Sequence, residues 1–320
     1  MEGSAVTRFV VCGEALIDLI SEGRTDSRSS TWSALSAGGP MNTAIALARL
    51  DHEVAMLARL GSDAFAEQLR AHLAASGVSL DLAVAADEAT SLAVVSLDAA
   101  GHPSYTFHFA GTANFGWQAG ELPQLQPTDW LHVASLATVV SPGAEALLEW
   151  TRGQIDTVTG ISYDVNVRPS VLADPREYAR RTQPWLELVG AAGGILKASD
   201  EDLEFLAGPS GGSADQVARR WCDDFGAAAV VTTLGPDGAA AHGPDGRVAV
   251  PGQRVSVVDT VGAGDTFMAG FLDAYTADTT ALEAALHQGI QAAAIVVQRQ
   301  GANPPTRHDL QVAAAALGAG

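Results

Sequence analysis

The amino-acid sequence predicts an α/β protein: a doubly wound, mainly parallel sheet with helices on both faces and a small second β-sheet. Three observations point there. Short apolar runs alternate with amphipathic helical stretches along most of the 320 residues. Two segments, 21–37 and 88–111, break that rhythm with strand-like patterns and no helix. No repeat or low-complexity linker divides the chain, so residues 1–320 read as one domain carrying an inserted flap, formed by about 19–37 and 86–116.

The elements follow in order. RFVVCG (8–13) reads as a buried strand. SEGRTDSRSSTWSALSA (21–37) is polar and short-stranded. PMNTAIALARL (40–50) follows a Gly-Gly pair with helical spacing of its apolar residues, and EVAMLARL (53–60) returns as a strand. DAFAEQLRAHLAASG (63–77) is an amphipathic helix ending on Gly77, where a C-terminal cap belongs. EATSLAVVSLDAAGHPSYTFHFAG (88–111) reads as a hairpin of two alternating strands around Ala-Ala-Gly-His-Pro. Further strands are expected at 130–134, 160–165, 193–199 and 227–235, separated by helices such as 175–189 and 214–225. The helix-free flap is suited to serve as a lid over a site or as an interface.

Composition narrows the function. A formal charge of −19 argues against a general nucleic-acid or anionic-membrane binder, because phosphates would be repelled. A small anion held in a local positive pocket remains compatible with it. Two cysteines, Cys12 and Cys222, cannot build a disulfide framework, which fits a reducing cytoplasm. The N-terminal stretch is interrupted by Glu14 and Asp18 and lacks the plan of a signal peptide. No apolar run reaches the roughly 18 to 20 residues of a membrane helix.

Several motifs fail. No G-x-x-x-x-G-K-[ST] occurs, and Phe267 stands where a dinucleotide fingerprint needs its third glycine. GPSGG (208–212) matches a nucleophile elbow in letters but follows a helix-like segment rather than a strand. What remains is DTVGAGDTFMAGF (259–271). Its glycines leave the amides of Gly262, Ala263 and Gly264 bare at the start of a helix, a cradle for a phosphate or an oxyanion. Asp265 there is either an ordinary helix cap or an ionised base beside an anion site.

Other polar groups gather at strand and helix ends. AGGPMNTA (37–44) starts a helix with Gly38 and Gly39, and Asn42 is either a turn residue or a partner for hydroxyls. YDVNVRP (163–169) ends a strand in Asp164, Asn166 and Arg168, where the arginine faces a ligand crevice or pairs with a surface acid. Asp18 is placed at the end of the first strand. Lys197, the only lysine, precedes a helix capped by Ser199. All of these are expected on one edge of the sheet.

Taken together these stretches resemble the ribokinase-like sugar kinases, the PfkB carbohydrate kinase family. DTVGAGDTF is similar to that family's C-terminal signature, and AGGPMNTAIALARL with LGSDAFAEQL to its N-terminal one. GEALIDLI, DVNVRP, KASDEDLEFL and VTTLGPDGA fall in the expected order, the first two leaning to the fructokinase-like branch. The resemblance implies the ribokinase-like fold and transfer of the ATP γ-phosphoryl group to a sugar hydroxyl. It implies Asp265 as base, the Gly262–Asp265 amides as anion hole, and Asp18, Gly38, Gly39, Asn42 and Arg168 around the sugar. Lys197, Ser199, Thr233, Gly235 and Gly238 would line the nucleotide side. Mg²⁺ would be organised through water by Asp202, and a monovalent cation such as K⁺ by Asp259 near Gln300 and Gly301. A homodimer through the lid is implied as well.

Two departures from the family pattern stand out. Ser199 and Asp202 occupy the places of an Asn-x-x-Glu pair, and His108 and Phe109 those of a Tyr-Arg pair in the lid. A neutral ketose such as fructose is the expected substrate. A 2-keto-3-deoxygluconate, ribose or nucleoside kinase is the alternative, and a catalytically silent sugar- or nucleotide-binding regulator is the non-enzyme one.

Overall fold

The computed structural model describes residues 7–24, 26, 28–97, 103–208 and 211–318. Strand β1 (Arg8–Cys12) opens the core; β2 (Leu16–Arg24) and β3 (Ser30–Ala37) leave it, and helix α1 (Gly39–Arg49) returns to it. Next come β4 (Glu53–Leu57), β5 (Arg59–Leu60), α2 (Ala64–Ala75), β6 (Val84–Ala85), β7 (Leu92–Leu97) and β8 (Pro103–His108). The alternation resumes with β9 (Asp129–Ala134), α3 (Gly143–Gln154), β10 (Gly160–Asp164), α4 (Pro175–Ala191) and β11 (Ile195–Ser199). Then follow α5 (Asp200–Ala207), α6 (Ala214–Phe225) and β12 (Ala229–Thr233). A hairpin of β13 (Gly238–Gly243) and β14 (Gly246–Pro251) and the helices α7 (Ala263–Ala277), α8 (Leu282–Val296) and α9 (Arg307–Gly318) complete it.

The large sheet runs β14-β13-β12-β11-β10-β9-β1-β4. It is parallel from β4 to β12, and β13 and β14 add an antiparallel edge. Side chains alternate across it, as a strand's period of two requires. Phe9 and Val11 meet α1, α2, α7 and α8 on one face, while Val10 and Cys12 belong to the cluster of α4, α5 and α6 on the other. The strand order reverses between β1 and β9. That is the crevice where open α/β sheets hold ligands, outside the carboxyl ends of the strands.

The smaller sheet, β3-β2-β7-β8, begins at Leu16. This corrects the placement of Asp18. It does not end the first core strand; residues 13–15 carry the chain off the core, and Asp18 sits inside β2 opposite Leu35 and Ala93. The stretch expected as one strand at 53–60 also divides. Arg59, buried, leaves the core sheet to meet Glu88 at 3.2 Å and Glu121 at 3.0 Å, clamping the root of the smaller sheet. Asp63 adds a second tie: its carboxylate caps α2 through Ala66 N–H and also accepts from the Thr90 amide at 2.8 Å. Within the hairpin, Ala99, Ala100, Gly101 and His102 lie outside the described residues, as does Ser210 of GPSGG.

Candidate active site

The cap reading of Asp265 fails on geometry. Gly262, at φ 76, is the N-cap of α7, and no side chain caps the helix. Asp265 sits at its third residue, 8% exposed, and its Oδ2 accepts a hydrogen bond from Asn42 Nδ2 at 2.9 Å. The acid therefore reaches across to α1 instead of serving its own helix. At the helix start, Ala263 N–H donates to Thr260 O and Thr266 N–H to Gly262 O. Among the described residues the intervening amides of Gly264 and Asp265 have no such partner. These bare N–H groups, at the positive end of a helix dipole, are ready for an anion.

Gly39 explains itself here. A Cβ on it would stand 3.1 Å from Asp265 Oδ1 and 2.6 Å from Asn166 Nδ2. Any side chain would fill the space in front of the carboxylate. Gly38, at φ 126, has no room either, since a Cβ would lie 2.5 Å from the Glu14 carbonyl.

Arg168 ties the site together electrostatically. Its backbone N–H donates to the Tyr178 hydroxyl and its guanidinium to Val167 O at 3.0 Å, and it forms no ion pair among the described residues. The expected surface pair is absent there. Instead its charge acts on three carboxyls at once. Burial raises Asp18 to about 6, and Arg168 opposes that rise. Burial likewise raises Asp265, against the Asn42 hydrogen bond and the charges of Lys197 and Arg168. Glu14, buried at the switch point with Oε2 accepting from Ala137 N–H at 3.1 Å, is raised by burial and drawn down in part by Arg168. A buried carboxylate with a raised pKa is a stronger base than one in water.

Lys197 is engaged inside the fold. It is 3% exposed and its Nζ donates to Asp164 Oδ2 at 2.7 Å. Strand parity puts it with Ile195 on the face that α7 covers, and a Cβ on Gly264 would come 3.0 Å from its Nζ. The ammonium thus backs the bare amides from inside. Burial alone would lower it, but Asp164 holds it protonated; the same burial raises Asp164 to about 6. His132 lies two strands away on β9, and burial, with the charge of Lys197, drops it to about 3, leaving it neutral. Asp164 and Glu14 were not singled out as site residues from the sequence. The parity of Ile195 and Lys197 across β10 was the available signal for the first.

The remaining expected positions form a periphery. Thr233, Gly235 and Gly238 lie at the end of β12 and in the turn after it, two strands from β10, or about 10 Å at the usual spacing. A Cβ on Gly238, at φ 106, would run into Val250 O, so the glycine serves the β13–β14 hairpin. Ser199 and Asp202 make a reciprocal capping box. Asp202 Oδ1 accepts from Val167 N–H at 3.0 Å and Oδ2 from Ser199 N–H at 2.8 Å. Asp259 is similarly engaged, with Val261 N–H at 3.0 Å and Gly301 N–H at 2.9 Å. No group of three His, Cys, Asp or Glu side chains able to hold a metal occurs among the described residues. These carboxylates clamp loops and do not build a metal cage. Mg²⁺ that arrives on nucleotide phosphates and keeps its waters needs no such cage.

A doubly wound sheet with a separate small sheet, and a buried acid in the first turn of a helix whose opening amides are bare, are the features of a ribokinase-fold sugar kinase. The chain belongs to the pfkB family of carbohydrate kinases, whose pattern it matches over residues 6–309. It is 35% identical over 268 residues to a fructokinase of Rhizobium leguminosarum bv. trifolii, covering 82% of this chain and 78% of that one. The crystal structure of Vibrio cholerae fructokinase with fructose, ADP and calcium ion superposes with a TM-score of 0.82 at 26% identity, covering 97% and 99% of the two chains. Aminoimidazole riboside kinase from Salmonella enterica, complexed with aminoimidazole riboside and an ATP analog, gives 0.81 at 26% identity over 95% and 99%. Among the described residues no helix is long and apolar enough to cross a membrane.

Proposed function

We propose that this sugar kinase is a cytoplasmic fructokinase, transferring the γ-phosphoryl group of MgATP to a hydroxyl of D-fructose with Asp265 as general base. The observation that carries the reading is the Asp265–Asn42 hydrogen bond at 2.9 Å, which turns the carboxylate away from its own helix and toward the crevice. Asp265 takes the hydroxyl proton as the oxygen attacks. The Gly262, Gly264 and Asp265 amides receive the charge of the transferring phosphoryl, the expected Ala263 amide being held by Thr260 O, and Lys197 stiffens that wall from behind. Asp18, Asn42 and Arg168 hold the sugar. Mg²⁺ supplies charge neutralisation on the nucleotide phosphates when bound. K⁺ at the loops joined by Asp259 and Gly301 is part of the same reading.

A neutral substrate is favoured by the face of the small sheet that carries Asp18. Register sets Ile20, Leu35, Ala93, Val95 and Phe107 on that face, and Leu35 and Tyr105 are half exposed. Phe109, at the place of the arginine in the family pattern, is buried against Phe107 and Phe115 at ring distances of 5.0 and 4.9 Å. A charged sugar acid would find apolar walls there. The same exposed side chains suit a homodimer formed through this sheet.

A coupled assay of ADP release over D-fructose, D-ribose, 2-keto-3-deoxygluconate and aminoimidazole riboside tests the substrate. The highest kcat/KM is expected with D-fructose. Turnover confined to a nucleoside or to the sugar acid would replace the substrate, and ATP binding without turnover on any of them would favour a silent regulator.

A further inference from the structure

Asn166 was legible only as one polar residue among three at the end of β10, and nothing above gives it a task. Its backbone is in the left-handed region, at φ 43. Asparagine tolerates that conformation better than most residues, yet it remains a sparsely populated one. Both flanks are pinned. Val165 N–H donates to Lys197 O at 2.9 Å and Val167 N–H to Asp202 Oδ1 at 3.0 Å, so residue 166 has no freedom to relax. The consequence of that bend is an unpartnered donor: Asn166 Nδ2 is buried without a hydrogen bond. Buried donors without partners are rare in folded proteins and call for an explanation, which for a donor beside a candidate base is a ligand oxygen.

What it faces is defined by Gly39. A single point, the place a Cβ of residue 39 would take, is 2.6 Å from Asn166 Nδ2 and 3.1 Å from Asp265 Oδ1. Asp265 Oδ2 is already engaged by Asn42, which leaves Oδ1 turned to the same space. Asn166 Nδ2, an unpartnered donor, and Asp265 Oδ1, an unengaged acceptor, thus flank the same bare Cα of Gly39. An alcohol oxygen satisfies both, since it donates one proton and accepts on its lone pairs.

We propose that Asn166 orients the acceptor hydroxyl of the sugar, donating a hydrogen bond from Nδ2 to the oxygen that Asp265 deprotonates. This rests on the reading of Asp265 as the base. In the step itself the hydroxyl proton passes to Asp265 Oδ1, and one lone pair of the oxygen forms the bond to the γ-phosphorus. The bond from that phosphorus to the bridging oxygen breaks, its electron pair leaving with ADP. The second lone pair stays on Asn166, which neither gains nor loses a proton. The amide fixes the direction of the attacking lone pair and keeps water, which cannot be held by the rest of the sugar, from taking its place.

The test uses the full-length protein with D-fructose and MgATP. Asn166→Gly removes the donor and keeps the backbone comfortable at positive φ. Its kcat is expected to fall by about 10- to 100-fold, as for a misaligned reactant, with the KM for ATP unchanged. The ratio of inorganic phosphate to fructose phosphate formed is expected to rise, a shift that a purely structural role would not cause. Wild-type kcat and wild-type coupling in this variant overturn the proposal. Should the glycine variant unfold, Asn166→Asp keeps the shape and turns the donor into an acceptor; wild-type turnover there overturns it equally. Asp265→Asn run alongside separates the two ideas. If that variant keeps full turnover, the base assignment falls; if it is inactive while both Asn166 variants are not, only the role of Asn166 falls.

Discussion

Replacing Asp265 by asparagine should move activity and stability in opposite directions. The substituted amide keeps the volume of the side chain, and its oxygen can still accept from Asn42 Nδ2, now 2.9 Å from the carboxylate. What it loses is the proton acceptor. General-base catalysis contributes roughly 10²- to 10⁴-fold, which is about 2.7 to 5.4 kcal/mol of barrier at 1.36 kcal/mol per decade. Stability has the other sign. Burial raises the Asp265 carboxyl, with Asn42, Lys197 and Arg168 opposing. A carboxyl whose folded pKa exceeds its unfolded one binds its proton more tightly when folded. Its ionisation therefore costs stability, an expense that grows as pH rises through the folded value and is complete above it. At pH 7 the neutral amide removes that cost. Thermal melts and kcat measured on one preparation decide the matter: turnover down by at least about 100-fold with Tm equal or higher is expected. Near-native turnover would refute the base, and a Tm lowered by several degrees would show that activity was lost through misfolding.

Three more outcomes follow from the same charges. Lys197→Met leaves Asp164 buried without its partner and should cost about 3–5 kcal/mol in urea denaturation, with most of it recovered on adding Asp164→Leu; an unchanged midpoint would mean the pair is open to water. Burial holds Asp18 at about 6, so the KM for sugar should rise as pH falls through that value, and Asp18→Asn should show a high KM with no such limb. Arg168→Ala removes the cation acting on Glu14, Asp18 and Asp265; the acid limb of kcat/KM should move to higher pH, and a profile superposable on the native one would place the arginine outside the site.

Much of the core could be read from the chain because its strands are short apolar runs between glycines and amphipathic helices. RFVVC and ISYD are buried on both faces and have no other stable home. GAAAHG and GRVAVP were passed over because alanine carries little strand preference, and their pairing is decided by Gly238 packing on Val250. Asp18 was misplaced since three residues, Gly13 to Ala15, suffice to take the chain out of the sheet, and no periodicity marks so short an exit. For Lys197 the type of residue suggested a phosphate, whereas the parity of β11 turns it inward. Asp265 shows the limit of residue chemistry: whether an acid in the first turn caps its own helix is decided by a partner 223 positions away.

That partner has a counterpart at the far end of the same helix. Asp273, eight residues or about 12 Å along α7, accepts from His52 just past α1 at 2.7 Å and from Arg307 of α9 at 2.8 Å. Arg307 in turn reaches Leu50 O, and Gln288 of α8 also meets Asp273. Helices α1 and α7 are thus joined at both ends, and Asp265 is mounted on that frame. Asp18 stands on the other sheet, which meets the core through residues 13–15, residue 38, the Arg59 and Asp63 ties, the bond from Asn114 to Ala15 O and that from Gln68 of α2 to Ala34 O. A swing of the small sheet would carry Asp18 and leave Asp265 where it is, so the roles proposed for the two, capture of the sugar and its activation, would be mechanically separate tasks.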